Sequence, residues 1–329
     1  MRTMMSLVPA SARPARAVVL WAIVALALLA APAAAVAQVT KWEALIRAGN
    51  TAYQKGDFRA AQQQYESALV EAQRIGKDSK EVATTLNNLA EVDRNLGDFG
   101  RARQRLSEAL VIQEKKLGRS HIEVADTLNN IGLVLMEQRE YQNAIAPLTR
   151  ALDIREKLLG ATHAEVAITV NSLGKAHQSL GRLAQARYLY ERALVTIQQS
   201  LGTDHPYMAA TLNNLASVLS AQNNLAKAEE LIREALKIAE KAYGKEHPQV
   251  AEYLNNLGSI YRKAKRFAEA EALAKRSLAI NEKYFGANHP EVAQILENYA
   301  VILRELGRAA EAEQAETRAK QIRRSTTSG

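Results

Sequence analysis

The chain has 329 residues, a formal net charge of +8, 47% hydrophobic and 5% aromatic residues, and no cysteine. The lack of cysteine excludes disulfides, thiolate metal sites and a lipid-modified N-terminal cysteine. Three arginines lie in the N-terminal leader, and the rest of the chain carries 40 basic and 35 acidic residues. This small excess of basic residues is spread along the chain and does not indicate nucleic-acid binding.

The N-terminal segment has the layout of a secretory signal peptide. A basic opening precedes an uncharged apolar run at residues 17–31, and Pro32 and small residues follow. The run is shorter than the roughly 20 residues that span a bilayer. Ala35 and Ala37 supply the small side chains that signal peptidase requires.

We therefore expect cleavage after Ala37, which removes residues 1–37 and starts the mature chain at Gln38. Export without cysteines is compatible with a bacterial periplasm, where disulfides are permitted but not required. One alternative remains open because residues 17–37 carry no charge. In that alternative the leader is retained as a membrane anchor, and only then is a membrane a partner.

A strict repeat of 42 residues follows the leader. The motif Leu-Asn-Asn-Leu, or a close variant, starts at positions 86, 128, 170, 212, 254 and 296 without an insertion. Such a period indicates stacked helical units that bury their apolar faces against one another. We expect one elongated domain at 38–324 and a disordered tail at 325–329. The predicted units start near residues 42, 83, 125, 167, 209, 251 and 293.

The spacing of apolar residues in each unit predicts two amphipathic helices joined by a turn of small or polar residues. Alanine at positions 61, 102, 144, 186, 228, 270 and 312 is expected to face small residues at positions 49, 90, 132, 174, 216, 258 and 300. The bulky residue that usually follows the alanine by four positions becomes Ala274 and then Glu316. Packing should therefore weaken toward a charged last helix, Ala309 to Arg324, as in a terminal repeat.

These small residues, the second-helix alanine and the large apolar residue or Tyr four positions later resemble the tetratricopeptide repeat. Exit loops such as residues 201–206, Leu-Gly-Thr-Asp-His-Pro, are similar to those of the 42-residue repeats in kinesin light chains and bacterial scaffold proteins. The resemblance implies an all-α fold, a right-handed α-solenoid of about seven helix pairs whose first helices line a concave groove. Kinesin light chain function is not implied, because no heptad coiled coil is present.

Five histidines recur at the 42-residue period, at positions 121, 163, 205, 247 and 289. Equivalent positions lie about two helix layers of 8–10 Å apart, whereas ligands of one zinc lie about 2 Å from it. Three of these histidines precede proline, which indicates a helix start. We predict capping residues and no metal site, and the sequence holds no phosphate loop, nucleophile elbow or cofactor motif.

The asparagine pairs are the candidate ligand site, because an amide on a helix face needs a partner. Two interpretations remain open: contact with the backbone of an extended peptide, and a structural ladder between repeats. The first asparagine of each pair is the better ligand candidate, and nearby basic residues predict a preference for acidic segments. The candidate groove residues are Asn87, Asn88, Asn129, Asn130, Asn171, Asn213, Asn214, Asn255, Asn256, Lys175, Arg262 and Lys263.

The leading functional hypothesis is a non-enzymatic scaffold in the periplasm that binds a protein or an extended peptide, without a cofactor. The second is a membrane-anchored component of an envelope or secretion assembly. An enzyme of unrecognised type is third.

Overall fold

The computed structural model describes residues 33–327, with side chains from 39 to 325. These residues form fourteen helices and no strand. The helices are α1 (Ala33–Gln54), α2 (Phe58–Ile75), α3 (Lys80–Leu96), α4 (Phe99–Leu117), α5 (Ile122–Glu137), α6 (Tyr141–Leu159), α7 (Ala164–Ser179), α8 (Leu183–Leu201), α9 (Pro206–Ala221), α10 (Leu225–Tyr243), α11 (Pro248–Lys263), α12 (Phe267–Phe285), α13 (Pro290–Glu305) and α14 (Ala309–Thr327).

The helices form seven consecutive pairs, an odd-numbered first helix and an even-numbered second helix in each. A first helix packs mainly on the second helix of its own pair, and that second helix packs on the next first helix within the same part of the chain. The predicted all-α repeat solenoid is confirmed.

The first and last helices extend beyond residues 38 and 324, the predicted limits of the repeat domain. Helix α1 begins at Ala33 and includes the predicted cleavage point after Ala37, while residues 1–32 of the predicted signal peptide lie outside the described residues. At the other end α14 continues to Thr327, whereas the sequence predicts a disordered tail from Ser325. In this last turn the Ser325 hydroxyl donates to the carbonyl of Ile322 at 2.8 Å.

The chain divides into two compact units between Ala161 and Thr162. Unit 1 contains the first three helix pairs, and unit 2 contains the last four. The uninterrupted 42-residue period predicts one elongated domain and gives no sign of this division. Unit 2 has a continuous apolar core that includes Tyr190, Ile232 and Leu254.

The turns inside the pairs have a shared backbone conformation. Gly97 ends α3 with φ of +83° and a left-handed conformation, as predicted from the small residue at this position. Arg139, Asn223 and Lys265 occupy the equivalent turns with φ of about +60°, although only asparagine among them tolerates this region readily. The turn geometry is therefore imposed by the helix pair.

The five periodic histidines cap the first helices. In each, Nδ1 accepts the backbone N–H two residues later, at 3.1–3.3 Å. The predicted capping role is confirmed, and the histidines are distributed over five different helices. Burial lowers the pKa of His205, His247 and His289. A neutral Nδ1 is therefore favoured, as its acceptor role requires.

Where the two helices of a pair cross, small residues lie next to large side chains. The seven second-helix alanines are all fully buried, as expected. However, a Cβ added to Gly174 would lie 2.7 Å from Cε1 of Tyr190, and one added to Gly132 would lie 2.5 Å from Cγ of Leu148. At these two crossings the glycine makes room for the large side chain four residues beyond the alanine, a contact that was not predicted, whereas at Gly258 the nearest atom is the carbonyl oxygen of Ala270.

No helix within residues 33–327 combines the length and the apolar character needed to cross a membrane.

Candidate functional site

Three asparagine pairs join successive repeats in unit 2. Nδ2 of the second asparagine of one repeat donates to Oδ1 of the first asparagine of the preceding repeat. The bonds run from Asn214 to Asn171 at 3.2 Å, from Asn256 to Asn213 at 2.8 Å, and from Asn298 to Asn255 at 3.1 Å. We call the side of α7, α9, α11 and α13 that carries these residues the ladder face. In unit 2 the asparagine pairs thus form the ladder between repeats that was one of the two interpretations of the motif.

The ladder leaves one donor group of each accepting asparagine unused. Nδ2 of Asn171, Asn213 and Asn255 makes no hydrogen bond with another described residue. Because Oδ1 is held by the following repeat, the amide orientation is fixed and Nδ2 is the atom left for a ligand. The same side chain can therefore serve the ladder and a ligand.

Unit 1 lacks this ladder. Asn87 donates to the carbonyl of Ala83 at 3.1 Å and accepts from the Thr127 hydroxyl at 3.0 Å. Asn129 is buried, and its Oδ1 has no partner among the described residues. The predicted residues Asn88 and Asn130 are half-buried. The twelve predicted residues are therefore not equivalent, and the connected set lies in unit 2.

An ion pair stands at the C-terminal end of the ladder. Glu297 replaces the first asparagine in the last repeat, and no described repeat follows that could donate to it. Nε and Nη2 of Arg323 contact its two carboxylate oxygens at 2.6 and 2.8 Å. The sequence shows Glu297 as a departure from the motif, but its partner on α14 was not predicted.

The three predicted basic residues have different surroundings. Lys263 is exposed and donates to the carbonyl and hydroxyl of Ser220, both at 3.1 Å, near the end of α9. Lys175 is half-buried, and its charge acts on Glu252, whose pKa burial raises to about 7. Arg262 is half-buried and forms no ion pair with another described residue. Arg262 is thus the basic group most available to an acidic ligand.

Several other polar side chains of the first helices in unit 2 are already paired. Nε2 of Gln178 donates to the Ser217 hydroxyl at 3.1 Å, and the Tyr190 hydroxyl donates to Oε1 of Gln178 at 2.8 Å. Arg304 is paired with Glu316. These contacts fix side chains that vary between repeats, and therefore give the ladder face a defined shape before a ligand binds.

A cleft of about 50 Å³ opens on the ladder face between α11 and α13. Its lining residues are Asn255, Gly258, Ser259, Arg262, Ala274, Asn298, Val301 and Ile302. Two of the predicted residues, Asn255 and Arg262, thus meet in one depression. Within residues 33–327 no group of three or more histidines or carboxylates could hold a metal ion.

Comparison with known proteins identifies the repeat. A family model described as tetratricopeptide repeat matches residues 43–115, 123–194, 166–241, 207–283 and 249–325, and a second model with the same description matches residues 87–158. Comparison with curated protein sequences found no match.

Solved structures share the fold. The chain is similar to a putative kinesin light chain with nearly identical TPR-like repeats from Podosopora anserina: 23% identity, TM-score 0.53, 61% of this chain and 95% of that one covered. It is also similar to the apo form of RapI, with 16% identity, TM-score 0.70, and 88% and 99% coverage. A Rap protein in complex with competence and sporulation factor has 17% identity, TM-score 0.65, and 88% and 76% coverage.

The family models cover most of the repeats, and the structure has the helix pairs that they describe. The chain belongs to the tetratricopeptide-repeat family.

Proposed function

We propose that the chain is a non-enzymatic interaction scaffold that binds an extended peptide segment along the ladder face. The observation that carries this proposal is the fixed amide orientation of Asn171, Asn213 and Asn255, which leaves three Nδ2 donors at one repeat position. An extended backbone offers carbonyl acceptors whatever its sequence. The Rap structure in complex with competence and sporulation factor has the same fold, which supports the proposal.

The affinity for a peptide can be estimated from the number of Nδ2 donors on the ladder face. Each hydrogen bond contributes a net of about 0.5–1.5 kcal/mol, and ordering an extended ligand opposes binding. With apolar contacts added, we expect a dissociation constant in the micromolar range, near −8 kcal/mol. Because the binding groups are backbone carbonyls, side-chain recognition must come from the residues that vary between repeats.

Basic residues give the ladder face a preference for acidic segments. Arg262 lacks an acidic partner among the described residues, whereas Lys263 retains charge while donating to Ser220. Exposed charges of this kind are screened by salt. Binding of an acidic peptide should therefore weaken as the ionic strength rises.

We place this scaffold in the periplasm on the basis of the leader sequence. The alternative is a membrane-anchored scaffold of an envelope or secretion assembly, in which the leader is retained. Mass spectrometry of the protein from its own host separates the two. A first residue at Gln38 supports the exported, cleaved form, and an intact leader in the membrane fraction supports the anchored form.

Site-specific photo-crosslinking tests where the partner binds. A photoreactive residue replaces Ser217, which is exposed on α9 of the ladder face, and in a matched variant it replaces Val195, which is exposed on the second helix α8. In envelope extract we expect a discrete crosslinked product at position 217 and none at position 195. Equal crosslinking at both positions would rule out the ladder face as the specific site.

A pair of substitutions separates ligand binding from ladder bonding. Asn171→Asp with Asn255→Asp, at two half-buried positions, keeps an oxygen acceptor for Asn214 and Asn298 but removes both Nδ2 donors. We expect crosslinking from position 217 to fall at least tenfold while the melting temperature stays nearly unchanged. Undiminished crosslinking would show that the asparagines serve the ladder alone.

A further inference from the structure

Unit 1 carries a concentration of basic side chains where its second helices end. We call residues 74–80, 115–119 and 157–158 the basic edge. These ranges contain the last turns of α2, α4 and α6 and most of the loops that follow α2 and α4. Seven of their fourteen residues are basic and exposed, and Asp78 is the one acid among them.

Contacts between successive repeats make the basic edge continuous. Nζ of Lys115 lies 2.5 Å from Oδ2 of Asp78, and Nη2 of Arg150 donates to the carbonyl of Arg119 at 2.9 Å. The last turn of α4 thus contacts the loop after α2, and α6 contacts the loop after α4. The positive charges of three repeats therefore lie along one side of unit 1.

Acidic side chains near the basic edge lie deeper than the basic ones. The side chains of Glu71 and Glu114 are 6% and 27% exposed, and both are in ion pairs. In contrast, the side chains of Lys115 and Arg119 are 65% and 76% exposed. The outermost charges are therefore positive. Three exposed lysines of the basic edge form no ion pair with another described residue: Lys77, Lys116 and Lys157.

An apolar depression of about 490 Å³ adjoins the basic edge between α2 and α4. Its lining includes the buried side chains of Val82 and Leu86, and Lys77 of the basic edge. Val111 also lines it and is 67% exposed, while Leu158 on the basic edge itself is 50% exposed. Apolar and basic side chains are therefore presented to solvent together.

The N-terminal leader enters unit 1 at the basic edge. Helices α1 and α2 are antiparallel, because Lys41 contacts Glu71 and Asn50 contacts Tyr65, each at 2.6 Å. At 1.5 Å per residue, Ala33 lies roughly 6 Å beyond the C-terminal end of α2. The uncharged apolar run at residues 17–31 ends two residues before Ala33. An apolar segment of the chain thus leads directly to this edge.

We propose that the basic edge of unit 1 binds the surface of an anionic lipid bilayer. Lysine and arginine side chains are attracted to anionic headgroups over a short distance, and exposed apolar side chains enter the boundary between headgroups and acyl chains. Charge alone would also fit an acidic protein. The exposed Val111 and Leu158, together with the apolar segment that leads into α1, favour lipid.

This contact is a second binding function, separate from the peptide binding proposed for the ladder face of unit 2. It is compatible with both forms of the leader. A cleaved chain would bind the bilayer peripherally and be released by salt, because attraction between exposed charges is screened. In a chain that retains the leader, the same edge would lie against the bilayer in which the leader is anchored.

A fluorescent label on the full chain tests the proposal. The chain has no cysteine, so that one introduced thiol carries an environment-sensitive fluorophore at a single place. Val111→Cys labels the depression, and Val195→Cys labels the equivalent, similarly exposed position in unit 2. With vesicles of phosphatidylglycerol and phosphatidylcholine we expect a blue shift of the emission from position 111, reversed by high salt, and none from position 195.

Three outcomes of this experiment would overturn the proposal. The first is an unchanged emission from position 111 with the anionic vesicles. The second is an equal shift from positions 111 and 195, which would mean that the basic edge is not the surface in contact. The third is an equal shift from position 111 with vesicles of phosphatidylcholine alone, which would exclude an anionic surface as the partner.

Charge variants of the labelled Val111→Cys chain then locate the attraction. The first variant combines Lys77→Gln, Lys116→Gln and Lys157→Gln, and should reduce the shift at position 111 at least about fivefold, because the attraction adds over the lysines. The second removes the same charge from exposed positions of unit 2 and should change the shift less than about twofold. It combines Lys237→Gln, Lys245→Gln and Lys320→Gln. Equal losses in the two variants would contradict binding through the basic edge.

Discussion

Nδ2 of Asn256 donates to Oδ1 of Asn213 at 2.8 Å, so that side chains 43 positions apart in the sequence orient one another. Asn213 is almost fully buried, and its oxygen would otherwise lack a partner. The amide pair thus links two repeats, and it also determines which atom of Asn213 remains for a ligand.

Removing the donor of this pair should destabilise unit 2. The Asn256→Ala variant leaves the buried Oδ1 of Asn213 without its hydrogen-bond donor. We expect this to lower the free energy of unfolding by about 1–3 kcal/mol. Chemical denaturation measures the shift. Asn88→Ala is the matched control, because Asn88 is half-buried and has no hydrogen bond with another described residue, and we expect a change within about 0.5 kcal/mol. Equal shifts for the two variants would contradict a stabilising ladder.

Two glycines on equivalent helices should respond in opposite directions to alanine. Gly174→Ala would place Cβ 2.7 Å from Tyr190, and such overpacking costs about 1–3 kcal/mol. Gly258→Ala meets only ordinary contacts, and its better helix propensity should stabilise the chain by about 1 kcal/mol. The melting temperatures of the two variants, each compared with that of the unmodified chain, measure these changes in stability. A loss of stability in Gly258→Ala would mean that the crossing of α11 and α12 is tighter than described.

The histidine caps predict lower stability in mild acid. Protonation places a hydrogen on the Nδ1 that accepts the cap bond and adds positive charge at a helix N terminus, where it is unfavourable. Because burial lowers the pKa of His205, His247 and His289 in the folded chain, the unfolded chain binds protons first. This stabilising contribution is complete above about pH 6.5, the ordinary value, and decreases as the pH falls from there through the folded pKa.

Thermal melts between pH 7.5 and pH 5 measure this effect. Replacing the three histidines together by asparagine keeps a capping acceptor that does not titrate. We expect the melting temperature of the triple variant to depend less on pH in this window than that of the unmodified chain. Parallel curves would assign the acid sensitivity to carboxylates instead.

A buried ion pair in unit 1 should be more sensitive to removal of one partner than of both. Asp93 is fully buried, with Nε of Arg105 3.3 Å from its Oδ2 and Gln62 donating to its Oδ1 at 3.0 Å. Burial raises the pKa of Asp93, against the effect of Arg105. Arg105→Met leaves this carboxylate unpaired and should cost about 3 kcal/mol or more.

Adding Asp93→Leu to Arg105→Met should recover most of this loss, because leucine occupies three of the five equivalent positions in later repeats, 135, 219 and 303. Urea denaturation of the two single variants and the double variant provides the cycle. A double variant as unstable as Arg105→Met alone would show that the pair is needed for the fold itself.

Local features of the fold were predictable from the sequence. The helix pairs, the left-handed turn at Gly97 and the histidine caps depend on residues within about four positions of one another, and the 42-residue period repeats such local signals along the chain. The contact of Gly174 with the Tyr190 ring was not predicted, because the repeat pattern identifies small positions but not which side chain enters the space. Only the packing of α7 on α8 shows that the Tyr190 ring does so.

The sequence by itself determined the repeat, its all-α class and the positions where asparagine and arginine stand on the first helices. The tertiary structure decided which amide atoms are used between repeats, where Arg323 ends the ladder at Glu297, and which side chains line the cleft beside Arg262. The physical reason is distance along the chain. A helix or a turn is specified by neighbours a few residues away, whereas the orientation of a side chain on the ladder face is set by partners roughly one repeat away.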